Sequence, residues 1–217
     1  MRWLYLVAVA LTAASVGALV GCGGVVLRTS KTLAEPLGLQ GRSADANAVV
    51  SVDGLTTHLS ASGTLQFAME DRTSSESYEG LSRVELAQNA SLLFSIVTDG
   101  ALPATFTMRN VNLRIIVRVA ESGGTPVAPP VEFTYTGSLT LDRQSDGRYK
   151  ARESLFLQRS LDRFDGSSLI AILGSGGVNT ISVNIFLTAD TSSPNIPSGA
   201  TVSMSLQFGE GSATVRW

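Results

Sequence analysis

The chain is poor in the residues that carry most enzyme chemistry. Its 217 residues include one cysteine, Cys22, and one histidine, His58. A lone cysteine excludes an internal disulfide, and with one histidine it rules out the Cys/His-rich ligand sets of structural zinc sites. Any Ser-His-Asp or Cys-His catalytic arrangement would have to use His58. That residue shares a side with Thr56 and Ser60, opposite Leu55, Thr57 and Leu59, which reads as the solvent face of a strand rather than a catalytic position. Charge is also scarce, with 16 Lys plus Arg against 18 Asp plus Glu and a formal net charge of −2. Nucleic-acid binding requires a basic field, so that class of partner is not expected.

Other chemical motifs are equally thin. Asp162 and Asp165 flank a turn-like Arg-Phe pair but lack the alternating Asp/Asn ladder of an EF-hand loop, so a capping or turn role is expected in place of a metal site. Gly174–Gly177 has the look of a phosphate cradle, yet no Lys-Ser/Thr pair follows it. A flexible turn is the expectation there. Arg148, Lys150 and Arg152 alternate onto one strand face and join Arg114 and Arg118 as a cationic stripe. Like charges in a row point either to an anionic partner, such as headgroups or polysaccharide, or to a solvated face balanced by nearby acids. No catalytic residue, cofactor or metal is expected from these patterns.

What the chain does possess begins at its N-terminus. After Arg2, the stretch from Trp3 to Leu27 carries no charge. A positive start, an apolar segment and small residues at its end are the layout of a secretory signal; Val16-Gly17-Ala18 would suit ordinary signal peptidase. The segment closes on Leu19-Val20-Gly21-Cys22, which resembles the lipobox of bacterial lipoproteins. That resemblance covers residues 1–22 and implies cleavage before Cys22, attachment of diacylglycerol to its thiol and acylation of its new amino group. It makes Cys22 the lipidation site, membrane lipid a partner, and the cell envelope the location, at the outer membrane where the host has one. The alternative is an uncleaved membrane helix, since about 20 apolar residues span a bilayer, with Cys22 merely a small apolar residue. Thr12, Ser15, Gly17, Gly21, Gly23 and Gly24 make the stretch a mediocre one.

Residues 22–45 show no sustained period and read as a lipidated cysteine and flexible spacer, with one short helical turn near Leu33–Leu37 limited by Pro36. From Ala46 to Trp217 the period becomes two. Val111, Leu113, Ile115, Val117 and Val119 fall on one face, with Asn112, Arg114 and Arg118 on the other. Val131, Phe133, Tyr135, Leu139 and Leu141 repeat the pattern, as do Leu65, Phe67 and Met69, then Ile181, Val183 and Ile185, then Val202, Met204, Leu206 and Phe208. Asp53-Gly54, Asp99-Gly100 and Asp146-Gly147 are hairpin signals. Segments 70–80, 122–130 and 190–199 read as exposed loops. A short helix is expected over Leu169–Leu173, capped by Ser167 or Ser168.

The expectation is therefore a single all-β domain over 46–217: an antiparallel β-sandwich of about eight to ten long strands with one short helix, or one sheet curled into a barrel or half-barrel. Two functions suit such a body. One is a non-catalytic binding or scaffold module with an envelope protein or polysaccharide partner. The other is a carrier of lipid or another hydrophobic ligand, similar in outline to the half-barrel lipoproteins of outer-membrane lipoprotein sorting. A sandwich interior is packed solid, whereas a carrier encloses an apolar cavity.

Overall fold

The computed structural model describes residues 30–69, 81–120, 129–173 and 179–217. Cys22, the signal-like segment and the Gly174–Gly177 turn lie outside the described residues, as do 70–80 and 121–128. The chain runs through β1 (Ser30–Ala34), β2 (Ser43–Asp53), β3 (Thr56–Met69), β4 (Arg83–Val97), β5 (Thr105–Ala120), β6 (Val131–Arg143), β7 (Tyr149–Ala151), β8 (Leu155–Leu161), α1 (Arg163–Leu173), β9 (Asn179–Ser192) and β10 (Thr201–Arg216).

Among the described residues the fold is all-β with one short helix, as expected. Its ten strands form one antiparallel sheet in the order β1-β10-β2-β3-β9-β5-β6-β7-β4-β8, and a further pairing of β10 with β4 closes the sheet on itself. Closure follows from the length of β10. Val202–Gln207 pair with β2 on one side, while the strand from Thr201 to Arg216 pairs with β4 on the other. The last stretch, Ser212–Arg216, then takes β1 as its outer neighbour. Closing a sheet removes most exposed edges, and a ring of about eight strands leaves an interior that side chains can just fill.

The filling is the period-two pattern itself. Val111, Leu113, Ile115, Val117 and Val119 of β5 are each at most 2% exposed, and Val202, Met204, Leu206 and Phe208 of β10 at most 3%. Ile181, Val183 and Ile185 of β9 and Phe133 and Leu141 of β6 join them in one contiguous core. Burying each such side chain stabilises by roughly 1.5–3 kcal/mol. Tyr149 is fully buried, donates its hydroxyl to the Pro103 carbonyl and meets Phe106 edge-on, with ring centroids 5.0 Å apart.

Four details depart from the sequence reading. The folded body reaches back into the stretch read as spacer, because β1 is a strand, not a helical turn, and Leu37 and Leu39 are at most 2% exposed in the core. Glu35 makes this possible with a positive φ of 49°; its amide donates to the Gly211 carbonyl at 3.0 Å, and its carboxylate accepts from the Gly211 amide. Asp53-Gly54 and Asp146-Gly147 close hairpins, but Asp99-Gly100 joins β4 to β5, which are not neighbours. The helix starts earlier than expected, capped by Asp162, whose Oδ1 accepts from the Phe164 and Asp165 amides at 2.9 Å each. Gly166 lets α1 approach the sheet closely: a Cβ on it would sit 2.7 Å from Val84 Cγ2. Finally, β9 continues to Ser192, so Asp190 belongs to a strand and not to the following loop.

Candidate functional site

The ladder between β5 and its neighbours slips at one place. Register shifts occur between Met108 and Val111 against β6, and between Arg109 and Asn112 against β9. This is a β-bulge, which places two consecutive residues where a regular strand would place one outward and one inward. Met108 and Val111 both point into the core, and Arg109 and Asn110 are both exposed. Asn110 takes a positive φ of 50°, a conformation asparagine tolerates better than most residues.

The bulge brings a polar cluster together. Arg109 lies opposite Asp190 in the β9 register, and Asp190 lies opposite His58 of β3. His58 Nδ1 and Asp190 Oδ1 are 2.6 Å apart, and Asn110 Nδ2 donates to Asp190 Oδ2 at 2.8 Å. An ionised carboxylate only accepts, so the imidazole donates from Nδ1 and its second nitrogen is left for other partners. These donors hold the Asp190 carboxyl below the ordinary carboxylate range, the Asn110 amide contributing most and His58 next. The floor of the site is fixed from beneath. Thr191 Oγ1 donates to the Thr107 carbonyl at 3.0 Å and receives the Asn195 amide at 2.9 Å, while fully buried Thr57 donates to the Ile196 carbonyl at 2.7 Å.

The cluster opens into a concavity of about 690 Å³ on the outside of the closed sheet, whose lining includes Thr56, Thr107 and Ser192 as well as the charged residues. The only charged or titratable side chains lining it are Arg109, His58 and Asp190. Asp190 is held by His58 and Asn110, whereas the Arg109 guanidinium has no hydrogen-bond or ion-pair partner among the described residues.

The charged candidates singled out from the sequence are less available to a ligand. Within the cationic stripe, Arg148 pairs with Asp146 at 2.7 Å, Arg152 with Asp142 at 2.9 Å and Arg114 with Glu132 at 2.6 Å. Those charges are largely balanced by their neighbours; Lys150 and Arg118 remain exposed on the same faces. A second concavity, of about 700 Å³, lies over β2, β3, β4 and β10 and is lined largely by small polar residues such as Ser43, Asn47, Ser62 and Ser205. Asp162 is occupied as a helix cap, and among the described residues no group of three or more His, Cys, Asp or Glu side chains converges. His58 sits on the solvent face as its alternation predicted, with its side chain 47% exposed. Alternation alone does not single out the residues gathered with it, Asp190, Asn110 and Arg109. Their signal was a phase slip: apolar Phe106 and Met108 are followed by Val111 and Leu113, an odd step across Arg-Asn.

Comparison with known proteins adds little to this geometry. No family model matches the chain, and no curated protein does. Among solved structures, chains from infectious bursal disease virus of the Gx and Gt strains are similar at 11% and 10% identity over 88% and 90% of this chain, with TM-scores of 0.15 and 0.16. The chain spans 41% of the length of each viral chain, and likeness at that level informs neither fold nor function.

Proposed function

We propose that the protein is a cell-envelope lipoprotein, anchored in the membrane through acyl chains on Cys22, whose β body is a non-catalytic binding or scaffold module working through its outer surface. The observation that supports this reading most is the filled interior. Inward residues from opposite arcs of the ring, the cross-strand neighbours Ile115, Ile185 and Phe133 on one and Leu206 on the other, are each at most 1% exposed and share one core. A body packed in this way offers ligands its outside, and the outside carries two open polar concavities. Two or more acyl chains suffice for stable attachment, at about 0.8 kcal/mol per buried methylene.

Two measurements test it. Cys22→Ser should leave an unprocessed, unacylated precursor, read by intact mass; a mature chain starting at Leu19 without acyl mass would refute the anchor. For the body, extraction and mass spectrometry of a chain beginning at Ser30 should find no stoichiometric amphiphile. In the same chain Ile115→Ala should cost roughly 2–5 kcal/mol by denaturant unfolding, as truncations in tight cores do. A bound amphiphile together with a mild Ile115→Ala would favour a carrier with an internal cavity.

A further inference from the structure

The geometry points to the concavity at the β5 bulge as a binding site for an acidic saccharide, a sugar unit carrying a carboxylate or phosphate, with Arg109 receiving the oxyanion. The inference rests on the reading of the body as an outward-facing binding module and names the chemistry of its ligand. Four observations carry it. Arg109 is the one cation in the lining that no acid of the described residues neutralises, and a guanidinium presents a planar fork of donors matched to carboxylate and phosphate oxygens. The single carboxylate nearby, Asp190, is already engaged on both oxygens by His58 and Asn110, so its repulsion of an incoming anion is reduced. The same engagement fixes the imidazole and leaves its second nitrogen available. Around these groups stand hydroxyls and an amide, Thr56, Ser192 and Asn195, suited to the hydroxyls of a sugar.

The local backbone supports a built site. Asn110 is one of two non-glycine residues with positive φ among those described, and it spends that conformation on aiming its amide at Asp190 while Arg109 is turned outward beside it. Strained, over-determined positions of this kind concentrate at ligand sites. A polar concavity of about 690 Å³ accommodates a mono- or disaccharide.

Because His58 is the only histidine, its imidazole signals report on the site without assignment ambiguity. The full chain, labelled at histidine and held in a non-ionic detergent, is titrated at constant pH and ionic strength with glucuronate, glucose 6-phosphate, glucose and inorganic phosphate. Glucuronate or glucose 6-phosphate should shift the His58 resonances saturably, and which of the two binds more tightly identifies the carboxylate or the phosphate as the natural group. Arg109→Ala should weaken that binding at least tenfold with an unchanged unfolding midpoint, and Arg109→Lys should restore part of it. Equal binding of glucose would overturn the role of Arg109, and equal binding of inorganic phosphate would overturn the saccharide. No saturable shift with any of the four overturns the site altogether. That last result leaves the outward-facing module standing when the body carries no amphiphile; a stoichiometric amphiphile in the interior removes that reading instead.

Discussion

Among the described residues two bulges interrupt the ladders of this closed sheet, and they are finished in different ways. In β10 the register against β4 shifts between Phe208 and Gly211. The backbone there is engaged by the protein itself, with the Glu210 side chain left exposed: Gln88, 3% exposed, donates to the Gly209 carbonyl at 2.8 Å, and Glu35 engages both the amide and the carbonyl of Gly211. In β5 the shift between Met108 and Val111 turns Arg109 and Asn110 outward, and the guanidinium finds no partner among the described residues. The first bulge bends a long strand so that it can serve β2, β4 and β1 in turn. The second costs the same break in pairing but leaves donors facing solvent, which is the arrangement expected of a binding site.

The sharpest way to break that contrast is to remove what seals the β10 bulge. A chain beginning at Ala46 lacks β1, Glu35, Leu37 and Leu39. Loss of the two buried leucines alone should cost about 3–6 kcal/mol, a large share of the 5–15 kcal/mol that typical domains possess. Urea unfolding of chains beginning at Ser30 and at Ala46 compares them directly. Equal midpoints would mean that the N-terminal strap is decoration.

Point substitutions at the two bulges sharpen the contrast further. A Cβ on Gly211 would lie 2.5 Å from Gln88 Oε1, and Gln88 is buried and hydrogen-bonded. Gly211→Ala should therefore destabilise by about 1–3 kcal/mol, as overpacking does. Asn110→Gly loses one exposed hydrogen bond and gains a residue at ease with positive φ, so stability should change by no more than about 0.5 kcal/mol. Comparable losses from both would show that the β5 bulge is as structural as the other.

The sequence made the regular parts of the molecule legible because burial there follows a period of two, broken within the β5 row only by Ile116, which is also buried. The rows from Val111 to Val119 and from Val202 to Phe208 could be read as inward faces, and both are. What it concealed lies wherever the phase slips. Phe208 to Ala213, like Met108 to Val111, is an odd step between two inward residues, and a reading that starts afresh at each apolar run passes over the interruption. The strap was hidden for a related reason: Leu37 lies within, and Leu39 just after, a turn in which Glu35 and Gly38 adopt positive φ, so no period links them to Leu33. Register across strands was the other unseen quantity. His58 and Asp190 are 132 residues apart in sequence, and only the pairing of β3 with β9 makes them neighbours.

The smallest expected effect concerns an ion pair that lies apart from the site. Asp142 accepts two hydrogen bonds from Arg152, at 2.9 Å each, and one from the Thr105 hydroxyl at 2.8 Å. The Arg152 hydrogen bonds, followed by that of Thr105, hold its carboxyl at about 2, below the ordinary 3.8. A carboxyl lowered on folding contributes stability above its unfolded value, and that contribution is lost as pH falls from about 3.8 toward about 2. Asp142→Asn lacks it at every pH. The urea midpoints of the two proteins should therefore differ more at about pH 5 than at about pH 2.5, with the native protein higher at the upper value. The pair is exposed, so the difference will be small. A gap that stays constant between the two pH values would show that Asp142 is held no more tightly when folded than when unfolded, and would remove the contrast with Asp190, whose hydrogen-bond partners are themselves part of the proposed binding site.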